Sequence, residues 1–398
     1  MVSNRTGEVP MAAPAGEDGI APRLRARAVG ALSEVDRAAW NRCVGSDFPY
    51  LRHEFLQGLE EHGCVAETVG WLPRHLLVET AAGLVAAVPL YLKFNSFGEF
   101  VFDHGWAEAY REAGLDYYPK LVAAAPFTPA TGPRMLLAPG ADGDRVLPYC
   151  IDAVIGLARD WRLSSCHWLF ATDRPLLDSP RLLLRKGYQF HWHNAGWGDF
   201  DDYLGALSSR RRKQLRRERR EVAAAGVRCR RIPGNEATDA DWRFFHGCYR
   251  DTFRRHGNYP ALTLEFFRQL GKTMGQQVLL VLAERAGTPL AAAWFLVGSE
   301  TLYGRYWGAA EEVPGLHFEA CYYQGLDFCL ERGLRRFEPG AQGEHKISRG
   351  FLPAATWSAH WIADGRFRGP ISAFLAREER GVCRYMEELN GLSPFRRE

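Results

Sequence analysis

Apolar and polar positions in the C-terminal half change period several times. Short apolar or alternating runs at Gly226–Ile232, Val278–Glu284, Leu290–Val297, Thr301–Gly308, Arg335–Glu338 and Thr356–Ala363 predict strands. A Gly-Thr-Pro turn makes a hairpin of the second and third. Helical spacing fills the gaps. Thr238-Asp-Ala-Asp241 has the pattern of a capping box and opens a helix that runs to about Arg255. A second helix is expected at Leu264–Thr273. A third spans Leu316–Arg332, with Phe318, Tyr322, Leu326, Cys329 and Leu330 on one stripe and Gly333 to end it. A last helix covers Ile371–Leu389.

The first half repeats this order. Arg23–Val29 is strand-like, Asp36–Cys43 and His53–His62 are helical, and His75–Thr80 with Leu84–Leu92 forms a hairpin. A helix at Tyr149–Trp161 and a strand at Cys166–Phe170 follow. HLLVETAAGLVAAVPLYL in one half parallels VLLVLAERAGTPLAAAWFL in the other. Repeats of roughly 180 residues are too long for a solenoid. They imply a duplicated α/β (α+β) domain, with a ligand cleft expected between the copies. The expected layout is a disordered tail at 1–22, a first domain at 23–199 with an insertion at 94–147, a linker at 200–225 and a second domain at 226–398.

The linker, Phe200–Ala225, reads as one long helix. Leu204, Leu207, Leu215 and Val222 share a face, which Arg211 and Glu218 interrupt. Its charge changes the picture more than the overall composition does. The chain of 398 residues is 46% apolar and 24% charged, a globular balance, with a net charge of only +3. Yet Arg210–Arg220 carries eight basic residues and one acid, a local +7 that leaves the remainder at −4. Like charges this dense repel along a helix. The run therefore reads as a phosphate or RNA site built from Arg210, Arg211, Arg212, Lys213, Arg216, Arg217, Arg219 and Arg220. Arg211, on the apolar stripe, has the alternative of pointing into the cleft.

Other classes are disfavoured. No apolar run reaches the ~18 residues of a membrane span. The N-terminal segment has acids and no apolar stretch of the secretory type. Nine cysteines without CxxC pairs suit reduced thiols in a cytoplasm better than disulfides or zinc. His191 and His193 share a strand face, but no further ligands stand at a recognisable spacing, so no metal is expected.

Candidate chemistry concentrates in Phe337–Phe351, FEPGAQGEHKISRGF. Glycines allow close backbone approach, and acids, an amide, an imidazole and two cations lie within a few residues. Together with LRHEFLQGLE (51–60), YYPKLVAAAPFTPATGPR (117–134), SSRRRKQLRRERR (208–220), GRYWG (304–308) and HFEACYYQ (317–324), this stretch resembles the GNAT-like peptidoglycan biosynthesis or recognition proteins. These are related to the FemABX-like aminoacyltransferases. The resemblance implies tandem GNAT-like domains, each a mixed, mostly antiparallel sheet flanked by helices. It also implies transfer of an amino acid from aminoacyl-tRNA to an amine on a cell-wall precursor, a peptide or a specialised metabolite. No cofactor is expected beyond the tRNA co-substrate.

Two departures matter. Where acyl-CoA enzymes of this fold hold a diphosphate on a glycine-rich loop, Gly308–Glu319 carries Glu311, Glu312 and Glu319, which disfavours CoA. The Phe-Lys pair of bridge-forming FemABX enzymes becomes His345-Lys346 here.

On this reading, the attacking amine needs a base near neutrality, for which His345, Glu344 and Glu338 are candidates. The oxygen that gains charge needs a cation, Lys346 or Arg349. Tyr306, Trp307, His317, Glu319, Tyr323 and Gln342 are candidate substrate contacts. In the insertion, Asp103, Tyr118, Lys120 and Arg134 form a polar and aromatic set, with His104, that reads as a lid over the cleft. Two alternatives stand beside the aminoacyltransferase: an acyl-CoA N-acyltransferase and a non-catalytic binding module.

Overall fold

The computed structural model describes residues 22–45, 47–341 and 343–396. Of the tail expected at 1–22, only Pro22 lies among them. The chain separates into two compact units, residues 1–187 with 356–382, and residues 188–355 with 383–398.

The first unit holds two groups of strands. In one, His75–Thr80 lies between Arg25–Val29 and Gly83–Val88, which in turn pairs with Leu136–Leu137, all antiparallel. In the other, Trp71–Pro73 pairs with Leu90–Lys93, which pairs antiparallel with Lys120–Ala123. Lys120–Ala123 runs parallel to Ser165–Trp168, and this strand is antiparallel to the end of Leu352–Ile362. The helix Gly143–Asp160 packs Val146, Ile151, Val154 and Leu157 into the apolar core.

Three expectations change here. The run Leu84–Leu92 is two strands, Gly83–Val88 and Leu90–Lys93, with Pro89 between them, a residue that cannot donate to a ladder. The helix expected at Tyr149–Trp161 starts at Gly143, because Asp142 caps it by accepting from the Arg145 amide at 3.3 Å. And the segment 94–147 is not a lid. Its strand Lys120–Ala123 sits inside the sheet and is fully buried.

The second unit follows the expected order from Gly226 to Glu338, but the strand expected at Thr356–Ala363 and most of the last helix, placed with the second domain on the sequence, belong to the first unit. The sheet of the second unit runs Val227–Pro233, Val278–Arg285, Thr288–Val297, Thr301–Ala309, Arg336–Glu338 and then the end of Leu183–His193. All neighbours are antiparallel except Thr301–Ala309 with Arg336–Glu338. The helix Asp239–Arg255 begins with the capping box: Asp241 N donates to Thr238 Oγ1 at 3.2 Å, and Thr238 N donates to the Asp241 carboxylate at 2.8 Å.

The linker is not one helix. Phe200–Ala206 and Ser209–Ala224 are separated by Leu207 and Ser208, both with extended backbone. The break lets Leu207 bury completely, and its amide neighbour, Ser208 N, bonds to Pro394 O at 2.9 Å. Serine competes poorly with such an alternative, since its side chain favours helix starts over interiors.

Candidate active site

The parallel pair in the second unit is short. Thr301, Leu302 and Tyr303 face Arg336, Phe337 and Glu338, and then the strands part. Two features separate them. On one side Pro339 has no N–H to offer, and Gly340 turns the chain at φ 94°. On the other, the register shifts so that Trp294 faces Tyr306 while Phe295 faces Gly304, leaving Arg305 as the extra residue of a bulge. The wedge is a cavity of about 380 Å³, lined by Gly304–Trp307 from one strand and Pro339–Ala341 from the other. Gly304 is needed there: a Cβ would lie 3.3 Å from Phe295, Phe337 and Pro339.

The wall opposite comes from the helix predicted at Leu316–Arg332. It is helical throughout, but Glu319–Tyr323 forms a π-turn between two α stretches. Such a turn re-aims side chains and is common at functional sites. Here it brings Cys321 and Tyr322 to the cavity, beside His317.

Lys346 closes the floor. It lies on the 3-10 helix Glu344–Arg349, is 2% exposed, and donates from Nζ to Gly340 O at 2.7 Å. Among the described residues no carboxylate pairs with it. Burial lowers its pKa to about 7, against an opposing pull from Cys321. His345 Nε2 is 3.0 Å from the Tyr322 hydroxyl. Burial, then Arg349 and Lys346, lower the His345 pKa. His317 is pushed down to about 4 by burial, then by His345, Arg349 and Lys346, and packs against Trp307 with ring centres 5.3 Å apart. At neutral pH His317 and His345 are thus uncharged, and Lys346 is poised between its two forms.

Of the predicted set, Lys346, His345, His317, Tyr306 and Trp307 meet at this cavity. Gln342 lies outside the described residues. The others are engaged elsewhere. Arg349 Nη2 donates to both carboxylate oxygens of Glu218 at 2.9 and 2.8 Å, its guanidinium covers the Phe318 ring at 3.4 Å, and Nη1 donates to His345 O at 2.8 Å. It positions the backbone of His345 and is not an oxyanion partner. Tyr323 donates its hydroxyl to Glu218. Glu319 is buried against Arg219 at 3.1 Å, and Arg219 also binds Asp327 at 2.8 Å. Glu338 is buried beside Arg336 at 3.3 Å and His191 at 3.8 Å. Glu344 is exposed and accepts from the Tyr385 hydroxyl.

The stripe interruption by Glu218 is therefore a buried anchor for Arg349. Arg211 bonds to Gln214 Oε1 at 2.9 Å along its own helix. Arg210, Lys213, Arg216, Arg217 and Arg220 are exposed, Arg212 is half-buried, and Arg216 and Arg217 pair with Asp201 and Glu221.

The set from the first unit is internal. Lys120 is fully buried, pairing with Asp103 and with Glu99 at 2.9 Å and donating to Ser96 at 3.0 Å. Tyr118 shares Ser96 at 2.8 Å. Arg134, fully buried, donates to the carbonyls of Leu169, Pro133 and Ala130 at 2.5, 2.8 and 2.7 Å. His191 and His193 gain no partners that would make a metal site: no cluster of three ligand-type residues exists among the described residues.

Sequence reasoning missed Arg305, Cys321, Tyr322 and Gly340 as site residues. Gly304 just before Arg305 and the Pro339-Gly340 pair were the available signals. The π-turn that exposes Cys321 and Tyr322 left none.

A family model of FemAB-like proteins, described as peptidoglycan biosynthesis/recognition, matches residues 31–397. No curated protein matches the chain. Among solved structures, FemX aligns with a TM-score of 0.51 at 10% identity, covering 86% of this chain and 98% of FemX, which indicates a shared fold. The C-terminal domain of a putative lysylphosphatidylglycerol synthetase from Agrobacterium fabrum aligns at 0.49 and 10% identity, covering 87% and 97%. A tandem GNAT protein from the clavulanic acid biosynthesis pathway aligns at 0.44 and 11%, covering 86% and 99%.

Proposed function

Because this chain belongs to the FemAB-like family of peptidoglycan biosynthesis/recognition proteins, we propose that it is an aminoacyltransferase that joins an activated aminoacyl ester to an amine. The observation that carries this reading is Lys346, a buried lysine at a cavity, with a backbone carbonyl as its hydrogen-bond partner and a pKa of about 7. Such a group is not needed to hold a fold, since an ammonium without a counter-ion is costly to bury.

The chemistry follows from the cavity. An amine attacks the ester carbon, a C–N bond forms and the carbonyl oxygen becomes an oxyanion. Lys346 donates to that oxygen, and the developing charge itself favours the protonated lysine. His345 is neutral near pH 7 and takes the proton of the attacking amine, with the Tyr322 hydroxyl fixing the ring. Collapse breaks the C–O bond, and His345 returns the proton to the leaving oxygen, which departs as the alcohol.

The donor in this reading is aminoacyl-tRNA, for which the exposed cations of Ser209–Ala224 offer phosphate contacts. The acceptor is a cell-wall precursor, a peptide or a specialised metabolite bearing a free amine. The test is transfer of a labelled amino acid from charged tRNA to a panel of such amines, with RNase and salt as controls. RNase-resistant transfer sinks the tRNA donor.

One observation favours a second reading, an acyl-CoA N-acyltransferase. Two of the three acids in Gly308–Glu319 are neutralised, Glu311 by Arg285 at 2.7 Å and Glu319 by Arg219. The repulsion expected from the sequence is thereby reduced. Saturable acetyl-CoA binding by calorimetry separates the two readings.

A further inference from the structure

Glu218 stands on the helix Ser209–Ala224 and is not among the residues that line the Lys346 cavity, yet two walls of the site hang on it. It is 8% exposed and accepts from three side chains. Gln214 Nε2, one turn back on the same helix, donates to Oε1 at 2.9 Å. The Tyr323 hydroxyl donates to Oε2 from the π-turn. Arg349 Nη2 donates to both oxygens from the 3-10 helix.

The last two contacts have a common consequence. Tyr323 follows Tyr322, and Arg349 Nη1 donates to the carbonyl of His345. One carboxylate therefore ties the π-turn that carries Tyr322 to the short helix that carries His345. The bond between the Tyr322 hydroxyl and His345 Nε2, at 3.0 Å, lies where the two segments meet. Neither segment is held well by its own backbone: one departs from α geometry, and a six-residue 3-10 run has poor hydrogen-bond geometry. Their relative placement has to come from side chains, and a buried charge-assisted pair is suited to it. Arg349 is itself fixed on two more sides, by the Phe318 ring and by the Tyr203 hydroxyl, which donates to its carbonyl at 2.6 Å.

The pair also sets the charge beside the imidazole. Arg349 and Lys346 approach His345 from its own helix, and His317 and Tyr322 from the helix opposite. Arg305 and Cys321 line the same cavity, and Glu344 is turned to Tyr385. Burial, then Arg349 and Lys346, disfavour the imidazolium. Glu218 neutralises the first of these cations at contact distance.

We propose that Glu218 and Arg349 are the positioning pair of the proton acceptor: Glu218 holds the π-turn and the 3-10 helix together, so that His345 meets Tyr322 in the orientation that transfer needs. This deepens the acyltransferase reading and rests on it. It makes the inner face of Ser209–Ala224 a part of the site, separate from the cations on the outer face.

Glu218→Gln and Arg349→Gln, each in the full chain, test the pair. The first removes the anion and leaves the guanidinium beside His345 unopposed, which disfavours the imidazolium further. The second removes the cation. The His345 pKa is therefore expected to fall in one variant and rise in the other. Proton NMR of the ring reads this without turnover, its signal identified by its loss in His345→Gln. In transfer from charged tRNA to an amine, both variants should lower kcat at least about tenfold, a part of the roughly 10²- to 10⁴-fold that a placed proton acceptor supplies, with KM little changed. The acid limb of kcat/KM, which reports neutral His345, should move to lower pH in Glu218→Gln and to higher pH in Arg349→Gln. Where a single variant does not fold, the double variant leaves neither charge unpaired. Its kcat should be low and its acid limb above that of wild type.

A pair that only supports the fold would cost stability in both variants and move neither limb. Limbs that stay or move together overturn the proposal, as does a wild-type kcat per folded molecule. The outcomes separate from those of the parent reading. Transfer with wild-type rate and pH profile in both variants sinks this inference alone. Opposite shifts of the His345 titration with no transfer to any amine sink the transferase alone.

Discussion

Lys120 in the first unit and Lys346 in the second are equally hidden from water, at 0% and 2% exposure. Their surroundings differ completely. Lys120 pairs with Asp103 and Glu99 and donates to Ser96. Burial works against its charge, but the two carboxylates outweigh it and its pKa rises. Lys346 pairs with no carboxylate among the described residues, and burial takes its pKa down to about 7. Burial alone therefore says little about a lysine's task. A lysine with its counter-ions beside it is finished as a structural element. One that lacks them, at the edge of a cavity, has its binding capacity still to use.

The largest effect that tests this contrast is on stability. Lys120→Met strands Asp103 and Glu99 in the interior, and removing one partner of a buried pair typically costs about 3–5 kcal/mol. Urea denaturation is expected to show that loss, with activity per folded molecule retained. A variant as stable as wild type but impaired in transfer would reverse the assignment and make the first unit's cluster the functional one.

Lys346→Met is expected to behave in the opposite way. Loss of one oxyanion donor typically lowers kcat about 10²- to 10³-fold. Stability should hold or improve, because the substitution removes a buried charge without a counter-ion. A destabilised variant with intact kcat would place Lys346 beside Lys120 as a structural residue.

The sequence already held both lysines as candidates, Lys346 as the cation at the reacting oxygen and Lys120 in a lid, but could not show which one keeps its counter-ions. Periodicity carried the second unit's element order, down to the Thr238–Asp241 capping box, because each element there has its own apolar stripe and end signals. It misplaced the insertion. Lys120–Ala123 is a four-residue strand buried on both sides, and such a run carries no alternation to read. The site was legible where chemistry was local in the chain, as in His345-Lys346. It was not legible where partners come from far away. Arg349 looks catalytic beside Lys346 until Glu218, 131 positions off, is seen to hold it.

The pH response has opposite signs at the two lysines. Lys346 falls from 10.5 to about 7 on folding. Between those values the unfolded chain holds a proton that the folded chain does not, so this group's contribution to stability rises with pH across that window. The slope is at most about 1.4 kcal/mol per pH unit for one proton. Lys120 is raised above 10.5, so its contribution is present below that pH and lost above it. The difference in stability between wild type and Lys346→Met should follow the first pattern. In the rate profile, the oxyanion role predicts that kcat/KM declines above about pH 7, and that this limb vanishes in the variant. A wild-type rate that climbs through pH 7 instead would make Lys346 the base.

The smallest effects lie on the basic helix, where the same contrast recurs between neighbours. Arg219 sits over Phe200 with its ring centre 4.6 Å away and binds Asp327 and Glu319, so its charge is spent inside the unit. Arg210, Lys213 and Arg220 point to water. Exposed ion pairs and free surface charges contribute little to stability, and Lys213→Ala should stay within about 0.5 kcal/mol of wild type. If these cations meet a polyanion, their effect is read in salt dependence. Removing a cation that neutralises one phosphate lowers the slope of log affinity against log salt by about 0.7 for a single strand. Lys213→Ala should therefore weaken tRNA binding modestly and flatten that slope. Arg219→Ala should melt earlier and leave the slope unchanged. Filter binding over a salt series separates the two. An Arg219 variant that flattens the slope while Lys213 leaves it intact would move the polyanion site to the inner face of the helix, against the arginine that now looks structural.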